Sequence, residues 1–376
     1  MLSLARTNTS LMGQWWWTVD RWTLAALLLL ILLGVLLIMA ASPAVADQHH
    51  WSSFHFVKKH IIFLIPTFGI LLGVSLLSLQ HIKYFALALF GLSMMGLLLT
   101  TFIGVEIKGA CRWLDIGGMS IQPSEFVKPA FAVVCAWMFS KQKDEVFFPG
   151  NWISIGFYLI VVAFLLFQPD LGMTALITVM WFSQFFLAGL PLFWIISATG
   201  CGVGGLVTSY FLFPHVSRRV DHFLNPEVSN KFGDRYQITQ SLEAFMNGGF
   251  TGQGPGEGTV KKHLPDAHAD FIFAVAGEEF GMVLCLLLVC IFSFIVLRSF
   301  FRLFNENSLF VVLAVTGLIV QFGLQAIINM ASTLNLMPTK GMTLPFISYG
   351  GSSMLALAIG MGMVLGLTRR RIGDYE

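Results

Sequence analysis

Apolar residues in this chain gather into runs of about 16–24 residues separated by polar links, close to the length a helix needs to cross ~30 Å of hydrocarbon. Ten such runs are marked, at 22–45, 61–79, 84–105, 125–140, 152–167, 171–190, 192–213, 271–297, 308–330 and 345–367. Only Gly189, Leu190 and Pro191 separate the sixth from the seventh. The Ala-rich stretch from Ala40 to Ala46 resembles a signal-peptide cleavage site, but the run before it is long enough to span, so it reads as the end of an uncleaved first helix. The expectation is an all-α polytopic membrane protein of about ten transmembrane helices. Residues 1–376 form one integral membrane domain, with one large extracytoplasmic loop, 214–270, between the seventh and eighth spans.

Composition agrees with the pattern. Charged residues are 11% of the 376 and apolar residues 56%, against roughly 25% and 45–50% in soluble domains. The mean hydropathy is +0.78. A net charge of +2 without a basic low-complexity tail gives no footing for nucleic acid. With both termini inside, ten Lys/Arg lie inside and eleven outside, and six of the eleven belong to 214–270. A segment approaching ~60 residues crosses regardless of its charge, so the short links decide, ten to five, for cytoplasmic termini. Of the five cysteines only Cys111 falls in an outer loop, which leaves no outer disulfide pair and no Cys-x-x-Cys metal motif.

The long polar segment opens with PHVSRRVDHFLNP and turns glycine-rich at GGFTGQGPGEGTVKK. Lys261 and Lys262 are not followed by Ser or Thr and no strand precedes them, which argues against a nucleotide P-loop. Two readings stay open. In one, a mobile loop meets an anionic headgroup with its N–H groups and with Arg218, Arg219, Arg235, Lys261 and Lys262. In the other, which composition favours, a solvated loop lies on the membrane surface.

Ionisable residues inside spans are few and costly, on the order of 2.5–3.5 kcal/mol each at the bilayer centre. In PDAHADFIFAVAGEE, Asp270 stands at the mouth of the eighth span, with Glu278 and Glu279 inside it. A functional site is the default reading for such acids, and a helix-start carboxylate is the plain alternative for Asp270. Glu125 and Lys128 are three apart on one helix and able to neutralise each other. Arg112 and Trp113 precede a turn, with Trp113 also suited to interfacial anchoring. Asp170 sits where an N-cap belongs. Lys340 occupies the last outer loop, and Ser348, Tyr349, Gly350 and Gly351 open the tenth span, the glycines suited to close helix packing. Gln321, Gln325 and Asn329 recur every four residues on one face of the ninth span, the pattern of interhelical glue more than of a substrate path.

The combination RWLDIGGMSIQPSEFVKP, QPDLGMT, DRYQITQSLEAFMNGG, LPDAHADFIFAVAGEEFG and MPTKGMTLPFISYGGSS resembles the SEDS family of bacterial cell-wall polymerases, over residues 20 to 367. Thr339-Lys340-Gly341 resembles the division branch of that family more than its elongation branch. The resemblance implies a peptidoglycan glycosyltransferase in the bacterial inner membrane, at the division septum. Its substrate is lipid II, the undecaprenyl-pyrophosphate-linked disaccharide pentapeptide, and its partners are a class B penicillin-binding protein and other division membrane proteins. The family's essential aspartate in His-x-Asp-Phe falls on Asp270, with His268 as the motif's histidine. Trp113, beside Arg112, matches the family's Arg-Trp motif. Glu125 and Lys128 match its Gln-Pro-Ser-Glu segment, and Asp170 its Gln-Pro-Asp-Leu-Gly. Lys340 matches its loop lysine, with Ser348 following. Some relatives carry a Glu shortly before the Leu-Pro of the 264–265 region, where this chain reads Lys261, Lys262 and His263 and is one residue shorter; Glu257 is the candidate for that role.

The chemistry so implied has a carboxylate, Asp270, as general base for the attacking sugar hydroxyl, and Arg112, Lys128 and Lys340 as cations facing the departing pyrophosphate. A donor with an α link and a product with a β link need one inverting displacement. A divalent cation, Mg or Mn, is the optional aid at the pyrophosphate, and the sequence offers it no dedicated cage. The rival readings are a lipid II flippase, the elongation-type polymerase and a non-catalytic division scaffold.

Overall fold

The computed structural model describes residues 10–48, 50–107, 110–116, 119–145, 147–189, 192–212, 217, 221, 234–338 and 341–369. Arg218, Arg219 and Lys340 therefore lie outside the described residues. A short helix, α1 (Leu11–Thr18), comes first. The apolar runs then become α2 (Arg21–Gln48), α3 (His55–Ser75), α4 (Leu79–Ile103), α5 (Pro123–Asp144), α6 (Gly150–Phe167), α7 (Leu171–Leu187) and α8 (Leu192–Leu212). After α9 (Asp234–Gly248) within the long polar segment come α10 (Ile272–Leu303), α11 (Leu309–Thr333) and α12 (Gly351–Leu367). Among the described residues ten helices stand at the ten marked runs, six of them long and apolar enough to cross a membrane and two more apolar but shorter. Exposed Ile65, Leu92, Phe102 and Phe301 mark outer surfaces that only lipid would tolerate.

Local chemistry sets several helix starts. Pro123 occupies the first turn of α5, where its missing N–H costs nothing, and Glu125 in that turn complements the helix dipole. Asp170 caps α7 by accepting from the Met173 N–H at 3.1 Å, so the N-cap role expected for it is present. Between α4 and α5 the chain forms a three-stranded antiparallel sheet, β1 (Val105–Ile107), β2 (Ala110–Ile116) and β3 (Met119–Ile121), with Val105 opposite Trp113.

The centre of the bundle is α5, whose residues 130–136 are all fully buried, packed between α4, α11 and α12. α12 packs along α3, and α11 also meets α7 and α10. The face that joins α2, α4, α6, α8 and α11 to their successors carries the sheet, the glycine-rich segment and the loop before α12; it is called the site face below. On the opposite face, Asp20 is 1% exposed and binds Arg298 through both carboxylate oxygens at 2.8–3.0 Å, with Arg302 2.9 Å away. Burial pushes its carboxyl upward, but hydrogen bonds from Arg298 and Thr23 and the Arg302 and Arg298 charges outweigh that, and its pKa is lowered. The same face holds Arg369, which donates to the Thr18 hydroxyl at 3.1 Å, and Trp15, which donates to Ser75 at 2.9 Å, so α1 is strapped across the ends of α3 and α12.

Two departures from the expected spans matter for the site. The run expected as helix from 345 is not helical until Gly351. Residues 344–350 instead descend into the bundle, with Phe346 at φ 60° and 1% exposed, and their backbone lies so close to Gly34, at the middle of α2, that a Cβ there would overlap the Phe346 carbonyl. Irregular backbone at membrane depth survives only when protein surrounds it, and Leu344, Phe346 and Ile347 are all buried here. α10 is likewise broken at Gly281, whose φ 72° and ψ −171° are open only to glycine.

Candidate active site

Asp270 ends a tight segment anchored by buried Leu264, Ala267 and Phe271, with a turn in which the Ala269 N–H donates to Asp266 O at 2.9 Å. Three successive carbonyls of that segment are held from outside it. Tyr349 N–H donates to His268 O at 2.9 Å, Ser348 Oγ to Ala269 O at 2.6 Å, and Asn329 Nδ2 to Asp270 O at 2.9 Å. Asn329 Nδ2 also donates to Met342 O at 2.7 Å. The half-buried Asp270 side chain lies against the loop before α12: a Cβ on Gly341 would stand 3.4 Å from its Oδ2, and Gly341 itself sits at φ 60°. Lys340 precedes that glycine in the chain. His268 is 8% exposed and packs its ring 4.1 Å from Phe56 and 5.3 Å from Tyr349, with His55 and Trp51 continuing the aromatic cluster along the loop between α2 and α3.

A buried polar brace runs beneath this loop. Lys128, 1% exposed, donates to Glu125 Oε2 and to Gln325 Oε1, both at 2.9 Å. Gln325 in turn donates to Thr343 O at 3.1 Å and to Ser353 Oγ at 3.3 Å. The Glu125–Lys128 pair thus neutralises itself inside the bundle, as spacing allowed, and is connected to the Asp270 loop through Thr343, so Lys128, expected to face the pyrophosphate, is instead buried and paired as a brace for that loop. Arg112 and Asp170 form a second group on the site face. Arg112 donates to Gln168 O at 3.1 Å and Pro169 O at 2.7 Å, and its Nη1 lies 3.4 Å from Asp170 Oδ2. About a quarter of the Arg112 side chain stays exposed, and Trp113 beside it on β2 is half-buried.

The structure corrects the reading of the remaining acids and of the glycine-rich loop. Glu278 is fully buried and accepts from Asn247 Nδ2 at 3.1 Å, Val260 N–H at 2.7 Å and Lys261 N–H at 2.9 Å. Glu279 is 1% exposed, accepts from Gly256 N–H at 3.1 Å and pairs with Lys261, whose ammonium also donates to Ala40 O at 3.0 Å. The loop is an anion nest, but the anions are the chain's own Glu278 and Glu279. Lys261 is therefore buried and spent, not directed at a headgroup. Glu257 stands exposed on this loop beside Gly254. Among the described residues no three of His, Cys, Asp and Glu are grouped to hold a metal, so a divalent cation would take most of its ligands from substrate phosphate and water.

Asn329 and Gln325 are the site residues that sequence reasoning passed over as interhelical glue. Their signal was present in the four-residue repeat; nothing in it showed that the repeat reaches the site face. Of the two rings that enclose His268, Tyr349 lay in a motif already marked, while Phe56 left no signal beyond aromatic content.

The family described as "Cell cycle protein" (FtsW, RodA, SpoVE) has a sequence model that matches residues 20–372. A probable peptidoglycan glycosyltransferase FtsW of Caulobacter vibrioides (strain NA1000 / CB15N) is 44% identical over 374 residues, 99% of this chain and 95% of that protein. A protein of the same description from Escherichia coli O6:H1 (strain CFT073) is 36% identical over 330 residues, 86% of this chain and 78% of the relative. Among solved structures, a chain from a peptidoglycan synthase complex that coordinates polymerization and crosslinking superposes with a TM-score of 0.77 at 24% identity, covering 93% of this chain and 97% of that one. The rod shape determining protein RodA of Thermus thermophilus does so at 0.65 and 23%, covering 94% and 97%. These folds agree with the ten-helix multi-pass arrangement. The extent of the family match, together with relatives alike over nearly the whole chain, places this protein in the FtsW/RodA/SpoVE family, the SEDS proteins its motifs resemble.

Proposed function

We propose that this protein is a division-type peptidoglycan glycosyltransferase that polymerises lipid II at the outer face of the bacterial inner membrane. The observation that carries the reading is the convergence of Asp270 with the Gly341 loop, under three clamped carbonyls, in a chain 44% identical to a probable peptidoglycan glycosyltransferase FtsW. Preorganised groups around a reacting centre are what glycosyl transfer requires. A sugar hydroxyl of the acceptor attacks the anomeric carbon of the donor, Asp270 takes the hydroxyl proton, and the bond to the lipid pyrophosphate breaks with inversion. Arg112 and Lys340 are the cations assigned to the departing charge. Trp113, Asp170, His268 and Glu257 border the substrate, while Glu125, Lys128 and Ser348 hold the loops that present it. The partner is a class B penicillin-binding protein within the division machinery, the termini are cytoplasmic and the working site is the septum.

Purified protein in detergent, where no leaflets exist, is expected to convert lipid II into glycan strands with its penicillin-binding partner present and that partner's transpeptidase serine blocked. Asp270→Asn, which keeps the volume and removes the titratable group, is expected to lower the rate by at least ~100-fold while partner binding survives. Near-normal polymerisation by the variant would sink the base assignment. Lipid scrambling by the wild type in vesicles, without glycan product in either setting, would favour a flippase.

A further inference from the structure

Asn329 is on α11, is 1% exposed, and has one amide nitrogen with two hydrogens. Those two hydrogens are matched to two carbonyls that belong to different segments, Asp270 O at 2.9 Å and Met342 O at 2.7 Å. Ser348 and Tyr349 fix the two preceding carbonyls, but they do so from within the loop before α12 and would move with it. Asn329 alone of these donors sits on a regular helix. It sets the position of the acid's backbone and of the residue following Gly341 at once, and a Cβ on Gly341 would stand 3.4 Å from the Asp270 carboxylate. Four residues earlier on α11, Gln325 repeats the arrangement one turn deeper, donating to the Thr343 carbonyl while the buried Lys128 ammonium holds its oxygen. One face of α11 thus grips consecutive carbonyls, 342 and 343, of the loop. It is a regular helix against which both non-helical parts of the site are registered.

We infer that Asn329 is a positioning residue for glycosyl transfer: it fixes the distance between the Asp270 carboxylate and the loop that carries Lys340, without touching substrate. This inference rests on the reading of Asp270 as the base. A displacement of about 1 Å in a reacting group costs on the order of 10²-fold in rate, so the loss belongs in kcat and not in substrate binding. Asn329→Asp is close to isosteric but turns a carboxylate oxygen toward two carbonyls, so it should be worse than Asn329→Ala, which merely releases them.

The test is steady-state polymerisation of lipid II by the full-length protein with its penicillin-binding partner, for wild type, Asn329→Ala, Asn329→Asp, Asn329→Gln, Asp270→Asn and the control Ser332→Ala. The Ser332 hydroxyl donates within its own helix, to Asn329 O at 2.8 Å. The expected result is a kcat reduced roughly 30- to 100-fold in Asn329→Ala and further in Asn329→Asp, with KM within about twofold. Asn329→Gln, which retains the two donors, should recover part of the loss, and Ser332→Ala should match the wild type. Wild-type kcat in Asn329→Ala, a loss confined to KM, or Gln no better than Ala would overturn the inference. Unfolding temperature in detergent, measured on every variant, separates the outcomes further: a rate loss that merely follows a lowered unfolding temperature also overturns it. Should Asp270→Asn be fully active, the base assignment fails; should it be dead while Asn329→Ala is normal, only the positioning role fails.

Discussion

Glu278 has no exposed surface and accepts three hydrogen bonds, two of them from backbone N–H groups at Val260 and Lys261. A buried carboxylate of this kind is tolerated only while both of its oxygens have donors, and the donors are equally dependent on it. Glu278→Gln turns an NH2 group toward at least one of those N–H donors. The expected cost is about 2–3 kcal/mol of stability, read as a lower unfolding temperature in detergent. Because the nest leads directly into the Leu264–Asp270 segment, polymerisation should fall as well, although Glu278 does not meet the substrate. An unchanged unfolding temperature would count against the nest. Sequence reasoning grouped Asp270, Glu278 and Glu279 by the cost of an acid in a span. That cost says a partner exists without saying which. For Glu278 and Glu279 the partners are mostly backbone amides some 20 residues upstream, which have no side-chain signature apart from the glycine run. Glu125 with Lys128 was legible because spacing marked the pair, and Asp270, Arg112 and Asp170 stood out by motif, but the Arg112–Asp170 contact joins separate loops and had no signal in spacing; the role of Asn329 was not legible either, since its partners are carbonyls of remote loops.

At the scale of elements, the ten apolar runs correspond to ten helices because hydrophobic length translates directly into a membrane crossing. The reading fails where apolar sequence is buried without being helical. Residues 345–350 are hydrophobic because they sit inside the bundle against Gly34, and composition cannot separate that from a helix turn. The three-stranded sheet between α4 and α5 was too short, with strands of three to seven residues, to stand out from loop. Gly281 is the second such failure: a single residue with glycine-only angles interrupts an otherwise continuous apolar run and lets the glycine-rich loop dock, with Met282 N–H donating to Gly249 O at 3.0 Å. Gly281→Ala meets both a forbidden backbone region, at roughly 1–3 kcal/mol, and direct overlap of its Cβ with the Phe250 carbonyl. The variant should purify in lower yield with a reduced unfolding temperature. Gly69→Ala on α3, where a Cβ meets nothing within 4 Å, should be neutral or slightly stabilising. Equal behaviour of the two would mean that the break in α10 is not needed.

For the whole molecule, the question is which face looks outward. The structure divides the chain's cations sharply by role. On the face opposite the site, Arg298 and Arg302 close on Asp20, Arg369 ties α12 to α1, and Lys141 pairs with exposed Glu145 at 3.7 Å. On the site face, Arg112 is held by carbonyls and Asp170, and Lys261 is buried with Glu279. The positive-inside rule acts on charge during insertion, before any of these pairs forms, so pairing in the folded state does not weaken the ten-to-five bias of the short links. That bias supports the proposal of cytoplasmic termini and an outward-facing Asp270, on the side where a lipid-linked sugar would have to be presented. Single cysteines in a background freed of the five native ones test this. Thr251→Cys lies exposed on the glycine-rich loop and Asn305→Cys lies exposed between α10 and α11 on the other face. In intact spheroplasts an impermeant maleimide should label the cysteine at 251 and spare the one at 305 until the membrane is permeabilised. The reverse pattern would turn the molecule over, place Asp270 on the cytoplasmic side, and remove the outer-face polymerase while leaving the fold itself unchanged.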